Sequence, residues 1–175
     1  MGYTSLSHQR GWDLGIEGPK HIVVSHNVRR YYARMADIVQ LTEASEKVAA
    51  QIDALIEQLD PKKGCDLPLL KALVESSSSE LWVAKEENSI IGMATLTFSK
   101  RIGGECARLE DVVVDENQRG KGLGKLLCQR MIERAKERGA YSLQLTSRKE
   151  RQVANKMYQS MGFELRDTNA YLMRL

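Results

Sequence analysis

Residues 110–125 read EDVVVDENQRGKGLGK: an apolar triplet, a polar turn, then three glycines at alternate positions. Val112, Val113 and Val114 form a continuous β-branched run, the pattern of a strand end buried on both faces. Gly120, Gly122 and Gly124 alternate with Lys121, Leu123 and Lys125, and from Leu123 apolar residues recur every fourth position as Leu127, Met131 and Ala135, with Leu126 and Ile132 widening the stripe. A core-facing helix therefore opens near Gly122, directly after the strand, and Gly139 sits where it ends. The amino end of a helix leaves backbone N–H groups unpaired and carries partial positive charge. Glycines that admit a ligand closely make it a site for an anion such as a pyrophosphate.

Outward from this unit the chain alternates helical and strand patterns. On the C-terminal side, residues 141–146 read as a strand, and Ser147 with Glu150 forms a capping-box signature for a last helix marked by Val153, Ala154, Met157, Tyr158 and Met161 and stopped by Gly162. Residues 163–165 and 171–175 read as closing strands. On the N-terminal side, residues 38–41 read as a strand, and Val48, Ile52, Leu55, Ile56 and Leu59 give residues 42–59 a helical stripe ended by Asp60 and Pro61. A second short helix over 69–75 follows Asp66, and residues 81–85 and 90–99 make an antiparallel hairpin around the polar turn 86–88. Residues 100–105, with Gly103 and Gly104, are the next turn, and 107–114 is the strong third strand. The order specifies a mixed α/β sheet in one domain, over residues 35–175.

Residues 1–34 have a different texture, with only Ile22, Val23 and Val24 clustered, and read as an appendage: a tag, a misread start or a native extension. All three histidines, His8, His21 and His26, fall there, which argues against imidazole catalysis or histidine metal ligation in the main domain. Cys65, Cys106 and Cys128 are widely spaced with no CxxC pair, the usage of reduced thiols and not of a disulfide framework or zinc site; no metal is expected. The 26 basic and 23 acidic residues are dispersed, so the net +3 does not describe a nucleic-acid-binding tail. No apolar run is long enough to cross a bilayer and no signal-peptide order opens the chain, so no membrane is expected as a partner and the cytoplasm is the expected compartment.

Two better-known glycine loops fail on spacing. A Walker loop needs GxxxxGK followed by Ser or Thr, but Gly124 and Lys125 are followed by Leu126 and the position five before Gly124 is Arg119. A dinucleotide GxGxxG counted from Gly120 ends on Lys125, and counted from Gly122 on Leu127. Arg119 to Gly124 does match the R/Q-x-x-G-x-G/A motif of the GNAT superfamily of N-acetyltransferases. Ala154, Asn155, Tyr158, Gly162 and Phe163 reproduce the later A-N-x-x-Y-x-x-x-G-F pattern. The chain resembles that family from residue 38 to its C-terminus. The resemblance implies a mostly antiparallel central sheet flanked by helices and splayed at the acetyl-coenzyme A site.

It also implies roles. Backbone groups of Val112, Val113 and Val114 would bond the pantetheine arm, as a short added strand does; amides of Arg119, Gly120, Lys121, Gly122, Leu123, Gly124 and Lys125 would hold the pyrophosphate; Asn155 would bond the pantetheine. Tyr158 would protonate the departing thiolate, and Glu110 would be the base, or else bind the substrate ammonium or form a surface ion pair. The chemistry asks for such groups, because an alkylammonium of pKa ~10 must lose a proton before it attacks. A regular pleat would put Asp111 on the opposite face from Glu110. Core packing for Tyr158, and a solvated basic face for Arg148, Lys149 and Arg151 in place of a 3′-phosphate site, stand as alternatives.

Transfer by direct attack in a ternary complex is simpler than an acetylated cysteine, because a nucleophilic thiol needs a base or positive surroundings. The expected acceptor is the amine of a small molecule. The run Glu110–Val114 is also similar to the corresponding strand of glucosamine-6-phosphate N-acetyltransferases; a peptide or protein acceptor and a non-catalytic acetyl-coenzyme A sensor are the other readings. The resemblance makes a homodimer reasonable.

Overall fold

The computed structural model describes residues 36–174; the appendage 1–34 and its three histidines lie outside the described residues. In chain order the elements are β1 (Asp37–Gln40), α1 (Glu46–Leu59), α2 (Leu67–Val74), β2 (Ser79–Glu86), β3 (Ser89–Arg101), β4 (Gly104–Val114), a 3-10 turn (Glu116–Gln118), α3 (Leu123–Glu137), β5 (Ser142–Gln144) and α4 (Gln152–Ser160). The strands lie in the order β1-β2-β3-β4-β5, antiparallel except for the parallel β4–β5 pair. This is the mixed, mostly antiparallel sheet that the residue patterns and the resemblance predict. The β3–β4 turn is tighter than expected, because Lys100 pairs with Glu105 and Arg101 with Gly104.

Alternation along β2 divides the core. Leu81 and Val83 face α1 and α2, where they join Ile52, Leu55, Leu70 and Met93; Trp82 faces α3, with Leu96, Leu109, Cys128 and Met131. Burying a large aliphatic side chain contributes about 1.5–3 kcal/mol, so the two faces clamp the sheet from both sides. Ser45 caps α1 by accepting from the Val48 amide, and Asp66 caps α2 by accepting from the Leu69 amide. Far from the glycines, Glu80 is buried and accepts from Arg134 Nη2 at 2.8 Å and from Trp82 Nε1 at 3.0 Å. The Arg130 guanidinium lies over Trp82 and that of Arg138 over Phe98, at 4.4 and 4.1 Å from the ring centres.

Two irregularities shape the region around 110–125. Strand β5 pairs with β4 only through Cys106, Ala107 and Arg108, so residues 109–114 of β4 have no strand beside them on that side among the described residues. The sheet is thus splayed between β4 and β5. Within β4 the register slips: Glu110 pairs with Thr95 and Val113 with Met93, leaving Asp111 and Val112 opposite Ala94. Asp111 takes φ 48°, a left-handed conformation uncommon for a non-glycine residue, and forms the bulge.

Three sequence expectations fail here. Residues 163–174 contain no strand: β5 is only three residues long, and apolar residues without a neighbouring edge to pair with do not make one. Leu165, Tyr171, Leu172 and Met173 are exposed as a result, at 80–91%. The capping box does not form, because α4 starts at Gln152 and its N-cap, Arg151, makes no side-chain cap. Residues 148–152 instead close a turn, with the Arg151 amide on Arg148 O and the Gln152 amide on Glu150 O. Val153, expected on the buried stripe of α4, is 85% exposed.

Candidate active site

The splay opens a cleft of about 1530 Å3 between β4, the amino ends of α3 and α4, and the end of α1. That exceeds the ~300–1,000 Å3 of an ordinary small-ligand pocket and suits an extended ligand. Every residue that the sequence nominated for catalysis or for the pantetheine and pyrophosphate lines it except Lys121 and Asn155. Lys121 Nζ donates to Gln118 Oε1 at 2.7 Å, and the Asn155 amide donates to Arg148 O at 3.0 Å, bracing the turn before α4.

One wall is strand edge. Because β5 leaves after Arg108, the outer carbonyls of β4 meet side chains: Arg119 Nε donates to Val114 O at 3.1 Å and Arg151 Nη2 to Val112 O at 3.3 Å. Gln58 Oε1 steadies Arg119 by accepting from its Nη2 at 3.3 Å. The adjoining wall is the bare end of α3. Gly122, its N-cap, adopts φ 82° and offers no side-chain cap, and Gly120 adopts φ 78°, so both turn the chain in the region that favours glycine. The first intrahelical bond there is Leu126 N to Gly122 O, which leaves the preceding amides facing the cleft without helical partners. The sequence had counted Gly124 with these two; a Cβ there would meet Val114 Cγ2 and Met157 Sδ only at ordinary contact distances, 3.7 and 3.8 Å.

The third wall carries charge. Glu110 accepts from Arg108 Nε at 2.8 Å, and among the described residues nothing bonds its Oε2. Asp111, expected on the opposite face, lines the same cleft because the bulge breaks the pleat, and Lys63 Nζ lies 3.4 Å from its Oδ1. Arg148 pairs with Asp60 at 3.3 Å, linking the turn before α4 to the end of α1; Lys149 does not line the cleft.

Tyr158 is buried at the floor, edge-on to Phe163 with centroids 5.8 Å apart. Burial, reinforced by Cys128 nearby and opposed by the charge of Arg151, pushes its phenol up to about 12. The phenol is therefore a neutral donor at physiological pH. Burial also pushes Cys128 up to about 12, and burial with Asp53 and Asp66 raises Cys65, so neither thiol is activated as a nucleophile. Among the described residues no group of carboxylates, histidines and cysteines is arranged to hold a metal.

Ser147, read from sequence as a cap, has its Oγ buried in the cleft wall with no hydrogen-bond partner. A buried hydroxyl without a partner costs free energy unless something bonds it, so this atom suits a polar ligand. Unpaired strand edge, bare helix end and orphan hydroxyl together fit a chain of amides ending in phosphates. The sequence also missed Arg151 as a strand-edge donor, together with Gln58 and Lys63. Only the Arg151 position carried a signal, in its basic cluster; the others depend on contacts across the cleft.

The sequence pattern of the acetyltransferase (GNAT) family matches residues 43–163. A probable glucosamine 6-phosphate N-acetyltransferase of Drosophila melanogaster is 40% identical over 80 residues, 44% of this chain and 35% of that protein. The chain therefore aligns with about a third of that relative's length. Among solved structures, the glucosamine-6-phosphate N-acetyltransferase of Arabidopsis thaliana matches with TM-score 0.67 at 23% identity, over 79% of this chain and 97% of that one. An aminoglycoside acetyltransferase from an uncultured soil metagenomic sample, solved with trehalose, matches with TM-score 0.71 at 22% identity, over 81% and 98%. At these identities the two structures speak for the fold. The family match spans most of the chain, and with the splayed sheet and glycine-bent helix end in place, the chain belongs to the GNAT acetyltransferase family.

Proposed function

We propose that the protein transfers the acetyl group of acetyl-coenzyme A to the amine of a small molecule, by direct attack in a ternary complex. One observation carries this reading: the uncapped, glycine-bent end of α3 opens onto the same cleft as the unpaired edge of β4. Edge groups of Val112, Val113 and Val114 would pair an extended amide arm, and the amides from Arg119 to Lys125 would take the pyrophosphate. Ser147 is added to this set, and Asn155 acts by fixing the turn before α4. The cosubstrate supplies an activated acyl thioester; what the chain supplies is position and proton handling.

Glu110 Oε2 is the acceptor for the amine proton, directly or through water, while Arg108 fixes the other oxygen. Tyr158 donates to the sulfur as it gains negative charge. A phenol at about 12 stands well above an ordinary thiol at ~8.5, so in water full transfer would be uphill. The same burial raises a thiolate's affinity for the proton, which narrows the gap. The unactivated cysteines support direct attack over an acetylated enzyme.

An amino-sugar phosphate is the second reading of the acceptor. The similarity to the Drosophila glucosamine 6-phosphate N-acetyltransferase favours it, as does a cleft wall holding Lys63 and Arg148 beside Glu110 and Asp111. A cytoplasmic location, with neither nucleic acid nor membrane as partner, is part of the proposal; among the described residues no helix is long and apolar enough to cross a membrane. So are a domain over residues 35–175 with an appendage at 1–34, and a homodimer, which the apolar tail residues Leu165, Tyr171, Leu172 and Met173 support by lying exposed.

The test is thiol release from acetyl-coenzyme A with polyamines, amino acids, glucosamine 6-phosphate, aminoglycosides and peptides as acceptors. Turnover with a small amine is expected. Tight coenzyme A binding with no turnover on any of them would replace the enzyme with a sensor, and turnover on peptides alone would move the acceptor to proteins.

A further inference from the structure

The guanidinium of Arg151 stands where the proposed ligand must pair. It donates to Val112 O, on the stretch of β4 whose outer edge β5 leaves open. A carbonyl on that edge needs a donor, and without a neighbouring strand the nearest cation takes the place. The contact is weak: 3.3 Å is long for a charged donor, and the arginine is exposed. Arg119 differs, since it is held by Gln58 Oε1 as well as Val114 O and belongs to the glycine turn itself. Among the described residues Arg151 has no carboxylate partner, so nothing else anchors its charge. It is also the N-cap of α4 and makes no cap there, leaving a second helix end bare beside the cleft.

We infer that Arg151 is a place-holder that changes partner. It occupies Val112 O in the free protein, yields that carbonyl to an amide N–H of the pantetheine arm, and then pairs with a phosphate of the coenzyme. The exchange balances: Val112 O trades one donor for another, while the guanidinium trades a long contact with a neutral carbonyl for an anion, a stronger hydrogen-bond partner. This rests on the reading of the cleft as a coenzyme A site. It goes further by giving one residue opposite effects on the two halves of the same ligand. Arg151 would compete with the pantetheine arm and favour the nucleotide.

Calorimetric titrations of the full chain with coenzyme A and, by displacement, with pantetheine test this without turnover. Arg151→Ala is expected to weaken coenzyme A about tenfold and to tighten pantetheine about two- to threefold. Arg151→Gln, which keeps a side-chain N–H donor for Val112 O but loses the charge, is expected to weaken coenzyme A similarly and leave pantetheine unchanged. Parallel weakening of both ligands by Arg151→Ala would make the residue merely structural and overturn the proposal. So would tightening of both, which would make it only an obstruction, and so would an unchanged ratio of the two affinities. If the wild-type chain bound no coenzyme A, the reading of the cleft itself would fail; if it bound and the ratio did not move, only the exchange would fail.

Discussion

Helix α3 has two unlike ends. At its C-terminal end Arg134 and Arg138 converge on the buried Glu80, Arg138 also reaches Glu105 at 3.6 Å, and Arg130 lies over Trp82. Basic residues in a last turn complement the negative end of the helix dipole, so that end is both neutralised and tied to the sheet. At the amino end Gly122 supplies no side chain, and Leu123, Gly124 and Lys125 put no acidic group in the first turn. Its partial positive charge is left for whatever enters the cleft. Stability is concentrated at one end of the helix and binding at the other, and the two should be separable by mutation.

The largest separation is expected from Glu80→Ala. Burial by itself raises the Glu80 carboxyl, but hydrogen bonds from Arg134 and Trp82 outweigh it and hold the group below the usual carboxylate range. Removing one member of a buried ion pair costs about 3–5 kcal/mol, and the arginines, each more than a quarter exposed, can turn to water, which sets the expectation near ~3 kcal/mol. A group with a depressed native pKa contributes stability above its unfolded value, so the part of this contribution that the shift carries is lost as pH falls from ~4.3 through the lower native value. Urea midpoints of wild type and Glu80→Ala at pH 7 and pH 3.5 should converge. Coenzyme A affinity should stay within about twofold; a parallel loss would show that the two ends are not independent.

The converse change is Gly122→Asp, which gives the amino end of α3 the kind of cap that Ser45 and Asp66 give α1 and α2. Aspartate tolerates left-handed backbone better than most residues and an acidic group suits a helix start, so thermal stability should move by only a few degrees. The same carboxylate would occupy and repel the anion site. Coenzyme A affinity is expected to fall about a hundredfold, or ~2.7 kcal/mol. An affinity unchanged within threefold would mean that the phosphates do not lie on this helix end.

Tyr158 belongs to both halves of the comparison, as a cleft residue that is also core. Its native pKa of about 12 lies above the ~10 of an unfolded tyrosine, so its contribution is complete below pH ~10 and is lost as pH rises towards 12. At about 1.4 kcal/mol per unit, two units amount to ~2.7 kcal/mol. Urea unfolding at pH 9 and pH 11 should show a steeper alkaline loss for wild type than for Tyr158→Phe, whose coenzyme A affinity should be kept while turnover falls. Equal slopes would mean that the phenol reaches water more freely than its burial implies.

The legible parts of this molecule were those set by local pattern. Val112, Val113 and Val114 announced a strand, though only Val113 is buried and its two neighbours line the cleft; the alternating glycines announced a bare helix start, and the stripe from Leu123 to Ala135 the face that packs. What was not legible depends on partners distant in sequence. A bulge at Asp111 arises because Glu110 and Val113 pair with residues of β3 that are only two apart, which periodicity along β4 alone cannot reveal. Ser147 looked like a cap because a Ser-x-x-Glu spacing is a local signal; the turn through Arg148 and Glu150 overrode it and left the hydroxyl buried in the cleft wall without a partner. The tail carried apolar residues suited to strands but no edge within the described residues to receive them.

The smallest expected effect tests whether capping itself marks the division between stability and binding. Ser45 Oγ accepts from the Val48 amide at 3.3 Å and Asp66 Oδ1 from the Leu69 amide at 2.8 Å, both on helices that pack the far face of the sheet. Replacing a cap of this kind by alanine costs about 1 kcal/mol, and the longer Ser45 contact should lie at or below that figure while Asp66 reaches it. Because α1 also lends Gln58 to the cleft, Ser45→Ala is the stricter control: its cap sits at the opposite end of the helix from Gln58, so a lowered urea midpoint should come with unchanged coenzyme A affinity. A loss of affinity beyond about twofold in Ser45→Ala would mean that disturbance at the start of α1 reaches Arg119 through Gln58, and the two faces of the sheet would then have to be treated as one binding unit.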